Sequence, residues 1–142
     1  MKLFPTLLLS GALLASQEAS SQQGHAMKLR LTVNGAPIEA VLYDNAASRD
    51  LMKLLPLELT LEDYASAEKI AYFPRKLDIA GTPGGFKPSP GDIAYYAPWG
   101  NLAIFYRNQP FASGLVSLGR IESGLDALKV GGKSKVTIET VK

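Results

Sequence analysis

The stretch that decides the fold is MKLRLTVNGAPIEAVLY, residues 27–43. Apolar and polar residues alternate over its first seven positions, so Leu29, Leu31 and Val33 share one face of an extended chain. Asn34-Gly35 comes next, and this pair favours a type I′ turn because both central positions of that turn need a positive φ. Residues 37–43 then return as a second strand. The stretch therefore predicts a β-hairpin with one buried face.

Short strand signals separated by turn residues continue along the rest of the chain. Helices are predicted only at residues 46–55, after Asp44 or Asn45 as a capping residue, and at residues 123–130. Many short strands with two short helices predict a mostly β protein, because closing the sheet removes its exposed edges. We expect a closed barrel of about eight strands with a short helix at each end. The further strands are predicted at residues 57–62, 69–73, 92–96, 101–107, 114–121 and 133–141.

Composition excludes several functional classes. The chain has 142 residues, 46% of them apolar and 20% charged, which suits one globular domain. Its net charge of +2 is spread without a basic stripe, so nucleic acid is not an expected partner. Cysteine is absent, and the single histidine, His25, precedes the first strand. We therefore expect no disulfide, no metal site and no cofactor.

The N-terminal residues have the layout of a secretory signal peptide. A positive start at Lys2 precedes the apolar run of residues 7–15, which is too short to span a bilayer as a helix. We assign residues 1–21 to the signal peptide, residues 22–26 to a linker and residues 27–142 to the domain, with a buried N-terminal helix as the alternative. A periplasmic or secreted location follows. No lipid-anchor cysteine is present, so no stable membrane anchor is expected after cleavage.

Aromatic residues concentrate in the middle of the chain, and Trp99 differs from the others by its position. It lies between Pro98 and Gly100 in a turn-like segment, and loops carry binding residues more often than packed strands do. Trp99 beside Asn101, with Tyr72 and Arg75 from another segment, predicts a shallow aromatic cleft with one cation. Phe105 on the following strand is a further ligand-binding candidate. Such a cleft suits a peptide or a small anionic ligand.

Three acidic residues lie close together in the sequence and require a separate interpretation. Glu62, Asp63 and Glu68 would need a defined separation to act as a catalytic carboxylate pair. We interpret them instead as a solvated turn between strands. The segment of residues 81–91 is rich in glycine and proline and is predicted to be a surface loop, since no Lys-Ser/Thr pair opens a helix after it.

The order of these segments resembles the cyclophilins. The stretches IEAVLYDNAASRDLMKLL and LGRIESGLDAL resemble cyclophilin segments, and EKIAYFPRKL and YYAPWGNLAIFY are similar to the bacterial cyclophilin-like fold proteins. The resemblance covers residues 27–142. It implies a closed barrel and, for some relatives, a flavodoxin-like partner domain.

The resemblance also implies a reaction, prolyl cis/trans isomerisation, whose barrier is about 20 kcal/mol. The catalyst needs an apolar cleft for the proline and a donor to the amide nitrogen. The Phe-His-Arg segment of cyclophilins is absent, and Arg75 is the nearest arginine. The cyclophilin tryptophan and histidine positions fall near Pro110 and Leu115. We therefore expect a binding module with little or no catalysis; the alternative is an isomerase with Arg75 as its donor.

Export gives a first testable prediction. The mature protein purified from its native cells should begin between about residue 17 and residue 26, since a boundary of this kind is uncertain by several positions. N-terminal sequencing measures it directly. An intact Met1 on a cytosolic protein would refute export.

Overall fold

The computed structural model describes residues 26–142. The predicted signal peptide, residues 22–25 of the linker and His25 lie outside this range. The helical segments are α1 (Ala46–Met52) and one 3-10 turn (Leu125–Leu128). The strands are β1 (Met27–Val33), β2 (Ala36–Leu42), β3 (Leu57–Tyr64), β4 (Glu68–Tyr72), β5 (Gly85–Phe86), β6 (Asp92–Tyr96), β7 (Asn101–Phe105), β8 (Ala112–Ser113), β9 (Leu115–Ser123) and β10 (Ser134–Thr140).

Eight of these strands close into an antiparallel barrel in the order β1-β10-β3-β4-β7-β6-β9-β2. The predicted hairpin is the β1–β2 pair, in which Met27 lies opposite Leu42 and Val33 lies opposite Ala36. The last strand, β10, pairs with β1 on one side and β3 on the other. The predicted closed barrel of about eight strands is therefore confirmed.

The barrel carries apolar residues on both faces of its β4–β7–β6 part. On β7, Leu102 and Ile104 belong to the main core, whereas Ala103 and Phe105 belong to a second apolar cluster. Successive side chains of a strand point to opposite faces, so the second cluster lies on the outer face of the barrel. The short β5–β8 sheet lies beside this cluster and contributes Phe86 and Ala112 to its edge.

The two helical segments lie at opposite ends of β2 and both contribute to the main core. Asn45 caps α1 by accepting a hydrogen bond from the Ser48 N–H at 2.8 Å. The helix ends at Met52, three residues before its predicted end. The predicted helix at 123–130 is only a 3-10 turn, because β9 continues to Ser123 and Gly124 then turns the chain with φ +88°. Neither segment is long and apolar enough to cross a membrane.

A salt bridge fastens the segment after β4 to α1. The Arg75 guanidinium donates two hydrogen bonds to the Asp50 carboxylate, at 2.7 and 2.9 Å. Asp50 also accepts the Asp78 N–H at 2.8 Å. Phe73 and Leu77 of the same segment are buried in the main core. This carboxylate therefore organises a segment that has neither helix nor strand.

On β9, Gly119 lies too close to the backbone of β2 to carry a side chain. An ideal Cβ at Gly119 would lie 2.0 Å from the Val41 carbonyl oxygen, which no relaxed structure tolerates. We predict that Gly119→Ala destabilises the domain by about 1–3 kcal/mol or more, because the β2–β9 pair must separate. Gly131→Ala is the matched control, since nothing lies within 4 Å of its Cβ position. Equal unfolding midpoints for the two variants would contradict the prediction.

The Asp50 ion pair predicts a pH dependence of stability. Hydrogen bonds from Arg75 and the Asp78 N–H lower the pKa of Asp50 from 3.8 to about 2. A carboxyl group with a lowered folded-state pKa stabilises the fold above about pH 4, and this contribution is lost as the pH falls from about 4 to about 2. Asp50→Asn should therefore have a lower thermal midpoint at pH 7 and converge on the wild type near pH 2.

The control for this measurement is Asp126→Asn. Asp126 pairs with Lys129 at 3.0 Å, but its side chain is 91% exposed, so the pair should contribute little. Thermal midpoints are measured from pH 7 to pH 2 for the three proteins. Parallel curves for wild type and Asp50→Asn would show that this carboxylate does not stabilise the fold.

Candidate functional site

A groove of about 330 Å³ lies on the outer face of the barrel beside Trp99. Phe105 and Leu115, buried members of the outer apolar cluster, belong to its lining. We call it the aromatic groove, because aromatic and proline side chains make up most of its walls. These are Tyr64, Tyr96, Trp99, Phe111, Pro88 and Pro110; Glu68, Gln109 and Ala112 complete the lining.

Trp99 is held between two tyrosines at one side of the groove. Its ring centroid lies 5.5 Å from that of Tyr64 and 5.3 Å from that of Tyr96. The Trp99 ring is nearly perpendicular to both, at 86° and 82°, an arrangement that aromatic pairs favour. Trp99 is nevertheless 49% exposed and Tyr64 43% exposed. The trio therefore offers ring surface to a ligand.

The backbone fixes the Trp99 turn to the loop that precedes β5. Within the turn, the Gly100 N–H donates to the Tyr96 carbonyl at 2.8 Å. Gly114 connects these two segments: its carbonyl accepts the Ala97 N–H at 2.9 Å, and its own N–H donates to the Gly84 carbonyl at 3.0 Å. Gly114 has φ +83°, and a Cβ there would lie 2.8 Å from Pro98. A glycine is required at this junction.

Of the residues that the structure describes, Glu68 alone brings a carboxylate into the lining of the groove. It begins β4, opposite Phe105 on one side and Tyr64 on the other. Partial burial, with a smaller effect of the nearby Asp63 charge, raises the pKa of Glu68. Its carboxylate has no hydrogen bond or ion pair with any residue of the described range. Among residues 26–142, no lysine or arginine lines the groove.

A larger cavity of about 590 Å³ lies nearby, but its polar groups mostly satisfy one another. The buried Lys69 ammonium donates to the Val130 carbonyl at 2.8 Å and lies 3.4 Å from Asp63. The Tyr106 hydroxyl donates a hydrogen bond to the Asp63 carboxylate. This bond lowers the pKa of Asp63, while burial and the Asp63 contact raise the pKa of Tyr106 to about 12. We assign this cluster to the structure of the barrel end.

The structure separates the residues that the sequence grouped into one cleft. Trp99 and Phe105 both line the aromatic groove, Phe105 with only 2% of its surface exposed. Tyr72, Arg75 and Asn101 do not line it. Tyr72 is exposed at the far end of β4, and Arg75 is bound to Asp50. The cation expected beside Trp99 is therefore replaced by the carboxylate of Glu68.

Asn101 is buried to 1% exposure on β7, directly opposite Tyr72 and Tyr96 in the two neighbouring strands. Its amide nitrogen donates to the Leu102 carbonyl at 3.0 Å. Its Oδ1 atom has no partner in the part of the chain that the structure describes. Asn101 thus belongs to the sheet under the aromatic trio rather than to the lining of the groove.

Sequence reasoning missed Tyr64, Glu68 and Phe111. The sequence predicts a solvated turn for the acids near Tyr64. In the structure Glu68 is partly buried, and Asp63 accepts hydrogen bonds from the Tyr106 hydroxyl and from the Ser66 N–H. Phe111 follows Pro110 in a loop, the same signal that singled out Trp99, and it is 63% exposed. Pro110 and Leu115, near which the cyclophilin tryptophan and histidine positions fall, also line the groove.

Within residues 26–142, no group of three or more histidine, cysteine or acidic residues is arranged to hold a metal ion. The described lining of the groove offers ring faces, proline edges, the Gln109 amide and one carboxylate. Such a lining binds an apolar ligand body and orients it through few polar contacts. Its volume lies near the lower end of the range of small-ligand sites, about 300–1,000 Å³.

Comparison with known proteins places the fold. The solution structure of a hypothetical protein from Archaeoglobus fulgidus is similar, with a TM-score of 0.58 and 19% identity over 82% of this chain and 95% of that chain. No protein of curated function matches the chain. The model of the cyclophilin-like family matches residues 31–139, which is most of the chain and nearly all of the barrel. The chain therefore belongs to the cyclophilin-like family.

Proposed function

We propose that this cyclophilin-like domain is a binding module whose aromatic groove holds a peptide segment or a small molecule with an apolar body. One observation carries the proposal: three of the most exposed large apolar side chains converge on this groove. These are Tyr64, Trp99 and Phe111. Scattered apolar residues are ordinary on a protein surface, but a contiguous group in a concave site favours binding.

Binding without catalysis accounts for the polar groups of the groove better than isomerisation does. A prolyl isomerase needs a donor that bonds the amide nitrogen as its conjugation breaks. Among the described residues, the side-chain donors in the lining are the Gln109 amide, the Trp99 indole N–H and the Tyr64 and Tyr96 hydroxyls, and none of them is an arginine or lysine. Arg75, the donor that the alternative requires, has its guanidinium engaged by Asp50. The isomerase alternative keeps the support of the family and of the apolar lining around Phe105 and Leu115.

We also propose that the domain is exported, on the support of the apolar run at residues 7–15. A flavodoxin-like partner domain stays a prediction from the resemblance.

The test uses the single tryptophan as its reporter, because Trp99 is the only one in the chain. The probes are three pentapeptides, Gly-Ala-Xaa-Pro-Ala, in which Xaa is leucine, lysine or glutamate. At least one should shift the Trp99 fluorescence and the NMR signal of its indole N–H. Phe111→Ala should weaken that binding by about fivefold or more, as truncation of a central aromatic contact does. Its unfolding midpoint should stay near that of the wild type, because Phe111 is 63% exposed.

Ile79→Ala is the matched control, since Ile79 is a comparably exposed apolar residue outside the groove. It should bind the same peptide as the wild type does. Absence of any Trp99 response at millimolar peptide would refute the binding proposal. Cis/trans exchange of the same prolyl bonds, followed by NMR at micromolar protein, tests the alternative. An acceleration that Arg75→Ala abolishes, but that Asp50→Asn retains although it breaks the same ion pair, would establish the isomerase.

A further inference from the structure

The aromatic groove combines ring surface with one negative charge, and we infer that it is a site for organic cations. The ligand class is an ammonium or guanidinium group on an apolar body, with the cation against Trp99 and Tyr64 and with Glu68 as its counter-ion. This inference rests on the proposed function of the groove, and it names the chemistry of the ligand.

The rings supply the first part of the argument. A cation within about 6 Å of an aromatic ring centroid is attracted by the ring face, most strongly for tryptophan, and quaternary ammonium sites are commonly built this way. Here Tyr64 and Tyr96 stand nearly perpendicular to Trp99, with centroids 5.5 and 5.3 Å from that of Trp99. Perpendicular rings present surfaces in more than one direction around the same point. Trp99 and Tyr64 are each about half exposed, so a ligand can reach them.

Glu68 supplies the second part. A partly buried carboxylate is unfavourable unless a hydrogen bond or an opposite charge compensates it. Within the described chain the Glu68 carboxylate has neither, whereas the neighbouring Asp63 is engaged by Tyr106 and Lys69. Glu68 is thus the acid that stays open to a ligand. A cationic ligand would supply the missing counter-charge, and the low polarity around it would strengthen that attraction.

The other charges of the protein show that the groove is not part of a generally acidic surface. The chain carries a net charge of +2, so its overall field does not concentrate cations. Lysine and arginine residues do gather nearby, but they line the neighbouring cavity, where Lys69, Arg107 and Lys129 lie. Of the residues in the described range, an anionic ligand in the aromatic groove would meet Glu68 and no lysine or arginine. A neutral ligand would leave Glu68 without a counter-charge.

The test compares choline with 3,3-dimethylbutan-1-ol, which has the same shape with carbon in place of the charged nitrogen. Titration against Trp99 fluorescence should give choline at least about tenfold tighter binding than the alcohol, because only choline gains the cation–ring and carboxylate attractions. Glu68→Gln should weaken choline binding by about fivefold or more and leave the weak binding of the alcohol unchanged. Since the Glu68 side chain makes no bond within residues 26–142, this variant should fold normally.

Glu122→Gln is the matched control, because Glu122 is an exposed glutamate on β9 outside the groove. It should bind choline as the wild type does. The lysine and leucine pentapeptides distinguish the source of the cation. If the lysine peptide binds more tightly than both choline and the leucine peptide, the cation comes from a basic side chain of a peptide. If choline binds as tightly as the lysine peptide, the ligand is a small free cation. Both results support the inference.

Two results would overturn it, and they differ in what else they remove. Equal binding of choline and the alcohol, with the leucine peptide as tight as the lysine peptide, would leave the groove as a binding site without charge preference. Then only the cation inference falls. No response of Trp99 to any of these probes would remove the proposed function together with the inference.

Discussion

The double burial of β7 is the constraint on which the rest of the architecture depends. All five of its residues are buried, although alternation sends Leu102 and Ile104 into the barrel and Ala103 and Phe105 outward. An outward face of this kind must be covered. The β5–β8 sheet, Leu115 and the aromatic residues around Trp99 provide that cover. The groove lies where the cover is incomplete, so the site is a consequence of how the barrel buries its outer apolar face.

In the part of the chain that the structure describes, the arginine and lysine side chains lie outside the lining of the groove. Arg75 holds α1 to the segment after β4 through Asp50, and Lys69 is bound at the barrel end. Each of these cations therefore has a structural partner. Glu68, in contrast, lies between aromatic residues with its charge uncompensated in the described chain. The charged group in the lining is therefore the negative carboxylate of Glu68, whereas the sequence predicted the positive guanidinium of Arg75.

The sequence predicted what depends on local pattern. The alternation of residues 27–33 and the turn at Asn34-Gly35 determine the β1–β2 hairpin, and repeated short strands imply closure. The sequence did not predict interactions between residues that are distant in the chain. Arg75 forms an ion pair with Asp50, which lies 25 residues earlier, and no local sequence pattern indicates that pair. Glu68 and Phe111 line the same groove only because β4 and the loop before β8 lie on one face of the sheet. The second helix is shorter than predicted for a local reason, because Gly124 has a positive φ. The helix-like pattern of the residues that follow Gly124 gave no indication of this turn.

Gly114 has a kinetic implication for any ligand of the groove. It bonds the Trp99 turn through Ala97 and the loop before β5 through Gly84, so the turn that carries Trp99 is anchored to a second segment by backbone hydrogen bonds. A site assembled in advance needs little ordering when a ligand arrives. Encounter rates should then be similar among ligands of similar size and charge, and selectivity should reside in how long each one stays.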